Sequence, residues 1–135
     1  MRAVLDPNIL IAALLSPSGV PAQLIRDWLR GEFELVVSEN LLGELERALS
    51  YPKLRRRVTR DEATAFAALL RDEAILVADP PNPACRSADP GDDYLLALAE
   101  AERALLVTDD QHLLTLADQF PILTARAFLD TLVTP

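Results

Sequence analysis

The chain has 135 residues, the size of one ordinary domain, and half of them are hydrophobic, enough for a core built mainly from Leu, Ala and Val because aromatics make up only 5%. A formal charge of −8, from 13 basic and 21 acidic residues, excludes a protein that is basic all over while leaving room for a local groove. Cys85 is the only cysteine, which excludes an internal disulfide and a cysteine zinc site; no apolar run reaches membrane-span length, and Asp6 and Asn8 interrupt the N-terminal stretch where a signal peptide would continue, so the expected location is the cytoplasm.

The segments alternate between strand-like and helix-like. Residues 2–5 read as a buried strand ending at Asp6, and 8–15 as a helix. Ser16-Pro17-Ser18-Gly19 is a loop by its turn residues, and Pro21 suits the first turn of a helix that runs to Arg30. Residues 33–37 form the next strand, and Ser38 is a good N-cap for a leucine-rich helix that carries Glu44 and breaks at Tyr51-Pro52. Thr59 and Glu62 form a capping box for a helix with Ala63, Phe66, Ala67 and Leu70 on one face. A weak strand over 74–77 leads into an extended loop over 79–91, which holds four prolines and one glycine. Asp92 or Asp93 starts the next helix. A strand over 105–107, a short helix over 111–117, a strand over 122–123 and a helix over 125–133 complete one domain spanning 1–135. Strands alternating with helices predict an α/β fold: a central, mostly parallel sheet of four or five strands between helical layers.

In such sheets ligands bind beyond the carboxyl ends of the strands. Four acids fall there: Asp6 and Asp110 just past strand ends, Glu44 and Asp93 near helix starts. Each has a plain structural reading as well. Asp6 suits an N-cap, Glu44 a solvated edge of the Leu41-Leu42-Leu45-Leu49 stripe, and acids near Asp93 and Asp110 suit helix N-termini. Together they point to a cation, because four like charges in one cleft repel one another. Hard oxygen donors suit Mg²⁺ or Mn²⁺, and His112, the only histidine, excludes a histidine-rich zinc site. The run from Lys53 to Arg60 places Lys53, Arg55, Arg56, Arg57 and Arg60 together, either as a clamp on an RNA backbone beside the acids or as a solvated connector.

Val4-Leu5-Asp6-Pro7-Asn8, Leu41-Leu42-Gly43-Glu44-Leu45, Asp89-Pro90-Gly91-Asp92-Asp93-Tyr94-Leu95-Leu96-Ala97 and Leu106-Val107-Thr108-Asp109-Asp110 resemble, in order and spacing, the four acidic motifs of PIN domains. Cys85-Arg86 with Asp89-Pro90 resembles the run before the third acid in PIN-family toxins of bacterial toxin–antitoxin systems. The resemblance implies a three-layer α/β/α PIN-like fold. It also implies a Mg²⁺- or Mn²⁺-dependent ribonuclease with Asp6, Glu44, Asp93 and Asp110 as ligands. Asn8 is expected to orient Asp6 or to contact a phosphate oxygen, and Thr108 to support the Asp110 carboxylate. The partners implied are an RNA substrate, a cognate antitoxin and a second copy of the chain in a homodimer, with no membrane. On this reading Asp93→Asn removes cleavage and leaves the melting temperature unchanged or raised. Three departures stand out: Pro7 where the family usually has Thr, Ala12 where a small hydroxyl residue is common, and His112 where a further Asp is frequent. They leave open a PIN module that binds RNA or a partner without cutting. A phosphotransfer enzyme with Asp6 as covalent nucleophile fits less well, since position 8 is Asn and Lys53 is the only lysine.

Overall fold

The structure, a computed structural model, describes residues 1–81 and 85–133. Five strands form one parallel sheet: β1 (Arg2–Leu5), β2 (Glu34–Val37), β3 (Ile75–Leu76), β4 (Leu105–Val107) and β5 (Ile122–Leu123), in the order β3-β2-β1-β4-β5. The strands are short, but their residues are apolar in succession rather than in alternation, as a sheet covered on both faces requires. Ala3, Val4, Leu5, Leu35, Val36, Val37 and Val107 have no accessible surface.

The helices are α1 (Pro7–Leu15), α2 (Val20–Leu29), α3 (Glu39–Leu49), α4 (Pro52–Arg55), α5 (Arg60–Glu73), α6 (Asp93–Ala101), α7 (Gln111–Leu114) and α8 (Ala125–Val133). Local chemistry sets their ends. Pro7 takes the first position of α1, where its missing N–H costs nothing. Gly31, at φ 83°, turns the chain out of α2 in a conformation that other residues rarely adopt. Ser38 caps α3 through Leu41 N–H at 3.3 Å. The expected capping box is formed, with Thr59 and Glu62 exchanging bonds of 2.9 and 3.1 Å. Leu41, Leu42, Leu45 and Leu49 are all buried, as the stripe in α3 requires. Phe33 meets Phe128 of α8 edge to face, 4.9 Å between centroids, closing one end of the core.

Two expectations shift in detail. The helix expected over 111–117 keeps only Gln111–Leu114 before loosening into turns. The loop expected over 79–91, described apart from residues 82–84, ends in a 3₁₀ turn at Pro90–Asp92 that leads directly into α6.

The topology positions the site. From β1 the chain winds outward through β2 to β3, then crosses back to enter β4 on the other side of β1. Right-handed crossovers therefore place α1 to α5 on one face of the sheet and α6 on the other. The direction reverses between β1 and β4, and a crevice opens beyond their carboxyl ends. Asp6 follows β1 there, and Thr108 to Asp110 follow β4.

Candidate metal centre

Asp6 is the hub of this crevice. Its backbone N–H reaches Val107 C=O at 3.0 Å, continuing the β1–β4 ladder by one rung. Its carboxylate accepts the Asn8 N–H at 3.0 Å and the Thr108 hydroxyl at 2.7 Å. Asp6 therefore caps α1 and also faces the crevice, so its two readings are both satisfied. Only 5% of it is exposed. Burial pushes its carboxyl above the ordinary carboxylate range, the Asn8 and Thr108 bonds pull it back, and the charges of Glu44 and Asp110 push it up again.

Glu44 lies in the middle of α3, half-buried, and accepts a hydrogen bond from the Tyr94 hydroxyl of α6. This contact joins the two helical layers over the edge of the sheet. Asp110 caps α7 through His112 N–H at 2.9 Å and stays half-buried beside Asn8, Ile9 and Ala12, which share its recess. Its neighbour Asp109 is used elsewhere: Oδ1 accepts Ala125 N–H at 3.1 Å at the start of α8.

Asp92 is the fourth member of the cluster. Burial and the charges of Asp6, Asp89, Asp110 and Glu44 push its carboxyl up to about 6. Asp93, expected at the ligand position, has different surroundings. Its Oδ1 accepts Arg86 N–H at 3.0 Å, Ser87 N–H at 2.8 Å and the Ser87 hydroxyl at 2.9 Å. Burial pushes the Asp93 carboxyl up, but these bonds and the Arg86 charge outweigh it and hold it below the ordinary range. Asp93 anchors the 86–87 loop to the start of α6, while Asp92 shares the field of Asp6, Glu44 and Asp110. Adjacent residues at a helix start point in directions about 100° apart, and sequence spacing alone does not say which one enters the cleft.

Asn8 holds Asp6 as expected, whereas Thr108 acts on other atoms than the Asp110 carboxylate. Thr108, fully buried, donates to Asp6 and accepts Asp110 N–H at 3.0 Å, so it supports the Asp6 carboxylate and the Asp110 backbone. Asn8 holds Asp6 through its backbone N–H. Tyr94 carries no signal in the sequence beyond its place two residues after Asp92; its proximity to Glu44 comes from the packing of α6 against α3. Burial and its bond to Glu44 push the phenol well above its usual range, so it is a donor at any working pH.

The residues of the basic run have several different surroundings. Arg57 donates to Leu15 C=O at 3.3 Å, at the far end of α1 from Asp6. Arg55 and Arg60 line a recess with Glu46, Thr64, Arg71 and Asp72. Glu46 is two residues from Glu44 and so about 200° around α3 from it. Lys53 and Arg56 are exposed.

Among the described residues, no Arg or Lys forms an ion pair with Asp6, Glu44, Asp92 or Asp110. The side chains also stand apart: among the described residues, no three of the His, Cys, Asp and Glu side chains converge on one point at ligating range. Burial first, and then the charges of neighbouring acids, raise the Asp6 and Asp92 carboxyls. A divalent cation fits the chemistry of this donor set, which is all hard oxygen with no charge of its own to balance it.

A PIN domain family model matches residues 2–112. An uncharacterised protein of Methanocaldococcus jannaschii is 26% identical over 122 residues, covering 88% of this chain and 77% of that protein. Among solved structures, the fold is similar to PAE2754 from Pyrobaculum aerophilum, with a TM-score of 0.70 and 20% identity over 100% of this chain and 91% of that one. It is also similar to a chain of VapBC2 from Rickettsia felis, solved bound to a DNA fragment from the promoter, with a TM-score of 0.64 and 14% identity over 92% of this chain and 98% of that one. VapBC-1 from nontypeable Haemophilus influenzae gives a TM-score of 0.64 and 17% identity, with 93% and 99% covered. With a family model covering most of its length and motifs in the family's order, the chain belongs to the PIN domain family.

Proposed function

We propose that this protein is a Mg²⁺- or Mn²⁺-dependent endoribonuclease and the toxin half of a toxin–antitoxin pair. The observation that carries the reading is the group of Asp6, Glu44, Asp92 and Asp110 at the β1–β4 switch point, with raised carboxyls on Asp6 and Asp92 and, among the described residues, no Arg or Lys in an ion pair with them. These four are the residues that would hold the ion, with Asp92 in place of Asp93. Bound there, the ion supplies an activated water and neutralises charge on the attacked phosphate. The chain's own part is positional. Thr108 and the Asn8 N–H fix the Asp6 carboxylate, Tyr94 fixes Glu44, and the His112 N–H fixes Asp110. No side-chain nucleophile is needed, and the exposed Cys85 plays no part.

Two partners belong to the same proposal: an antitoxin protein and a second copy of this chain. The fold likeness to the VapBC structures supports the first. The resemblance to PIN-family toxins supports both, with the cytoplasm as their place of action.

The test is cleavage of end-labelled RNA across a range of Mn²⁺ concentrations, wild type against Asp6→Asn. Wild type is expected to cut only with the cation present, and the variant to lose at least a hundredfold in rate, the scale of one removed charge-stabilising group. Equal rates for the two proteins at every concentration would remove the nuclease reading and favour a module that binds without cutting.

A further inference from the structure

The recess behind α3, about 400 Å³ in volume, is lined by residues of α3, α4 and α5. Along α5 its lining recurs at helical spacing, from Arg60 through Ala63, Thr64 and Ala67 to Arg71, so these residues share one face. The alanines leave the middle of that face without bulk, and charged side chains stand at its two ends. Arg71 is already occupied, by Glu39 and, at 3.9 Å, by Glu46. Arg55 and Arg60 are not: among the described residues neither has a hydrogen bond or an ion pair. Asp72 also lines the recess, but it is about 18 Å along α5 from Arg60, too far to neutralise it.

Arg55 is the stronger of the two observations. It is half-buried, and its Nη1 has almost no accessible surface and no partner. A charged donor in that position has given up water without gaining an acceptor, and folded proteins rarely leave such a group unpartnered. Arg2, Arg26, Arg57, Arg71 and Arg86 all donate to acceptors within the chain. The acceptor for Arg55 has to come from outside the described residues, and the recess that it lines is the space open to one.

We propose that this recess binds a phosphate monoester, with Arg55 and Arg60 on the phosphate and the exposed Thr64 hydroxyl as a further donor. Planar guanidinium groups match phosphate oxygens two at a time, and two of them with a hydroxyl suit the three terminal oxygens of a monoester better than the two of a carboxylate. The volume leaves room for a small organic body beyond the phosphate, lying on the alanines. The site is separate from the acid cluster and does not depend on the metal reading.

The experiment is calorimetric titration, in chelator, of wild type, Arg55→Gln and Thr64→Val with AMP, adenosine, inorganic phosphate and acetate. Without a cation the acid cluster repels phosphate, so binding reports on the recess. Wild type is expected to bind AMP saturably, inorganic phosphate more weakly, and adenosine and acetate not measurably. Arg55→Gln is expected to weaken AMP binding by about tenfold or more, and Thr64→Val by about threefold or more, the scale of hydrogen bonds lost to a charged group. Thr64 is exposed, so Thr64→Val keeps the test open if Arg55→Gln fails to fold. Wild type that binds neither AMP nor phosphate, equal binding of AMP and adenosine, or wild-type affinity in both variants would overturn the proposal. Inorganic phosphate or acetate binding as tightly as AMP would overturn the assignment to a monoester.

Discussion

Replacing Asp92 by Asn tests the electrostatics of the cluster without reference to catalysis. In the metal-free protein the Asp92 carboxyl sits at about 6 against an ordinary 3.8, raised by burial and then by Asp6, Asp89, Asp110 and Glu44. A two-unit shift is worth ~3 kcal/mol for a fully buried group, and about 1 kcal/mol for one that remains in contact with water, as half-buried Asp92 does. The sign follows from linkage. The folded state holds its proton more tightly than the unfolded chain, so the penalty is absent below about pH 4 and grows as pH rises through about 6. Asp92→Asn removes the penalty. Thermal melts in chelator should therefore show the variant about 3–5 °C more stable than wild type at pH 7, with the gap closing by about pH 4.5. Added Mn²⁺ should stabilise wild type more than the variant at the same concentration. A variant no more stable than wild type at pH 7, or a gap of the same size at both pH values, would refute the assignment of Asp92 to the cluster.

Asp93→Asn should behave in the opposite way. Three donors converge on a carboxylate held below its usual range, so the neutral amide weakens charge-assisted bonds and lowers stability by about 1 kcal/mol at pH 7. This reverses the expectation from sequence that the change is silent or stabilising, and a melt in chelator checks it. Thr108→Val strips the bonds to Asp6 and to the Asp110 N–H in a fully buried position, and should cost about 1–3 kcal/mol by denaturant unfolding. Replacing Arg55 and Arg57 by Ala should leave the salt dependence of RNA cleavage unchanged, because one lines the recess behind α3 and the other binds the end of α1. A slope reduced by about one per arginine would return them to the RNA path.

The fold was legible because each local signal agreed with its neighbours. The apolar runs ended at Asp6 and Val107, Ser38 and Thr59 capped helices, and the α3 stripe was fully periodic. Asp6 directly follows β1 and caps α1, and Asp110 caps α7 three residues after β4, both as N-cap positions legible from the residue type. Asp92 and Asp93 could not be separated in this way. Both open α6, both suit a helix N-terminus by charge, and only the position of the 86–87 loop decides which one is occupied by hydrogen bonds. Tyr94 was invisible for a similar reason, since an aromatic near a helix start reads as core until the opposite helix is in place. The Lys53–Arg60 run left two readings open, and its residues have different surroundings: Arg57 donates to Leu15 C=O, while Arg55 and Arg60 line a recess with Glu46 and Arg71.

On the proposed function, Asp6, Glu44, Asp92 and Asp110 would hold one divalent cation while Asp93 holds the 86–87 loop. Calorimetric titration of Mn²⁺ into metal-free wild type, Asp6→Asn, Asp92→Asn and Asp93→Asn tests it most directly. Asp6→Asn and Asp92→Asn are each expected to lose Mn²⁺ affinity by at least tenfold, whereas Asp93→Asn stays within about threefold of wild type. Full affinity in Asp92→Asn with affinity lost in Asp93→Asn would contradict it.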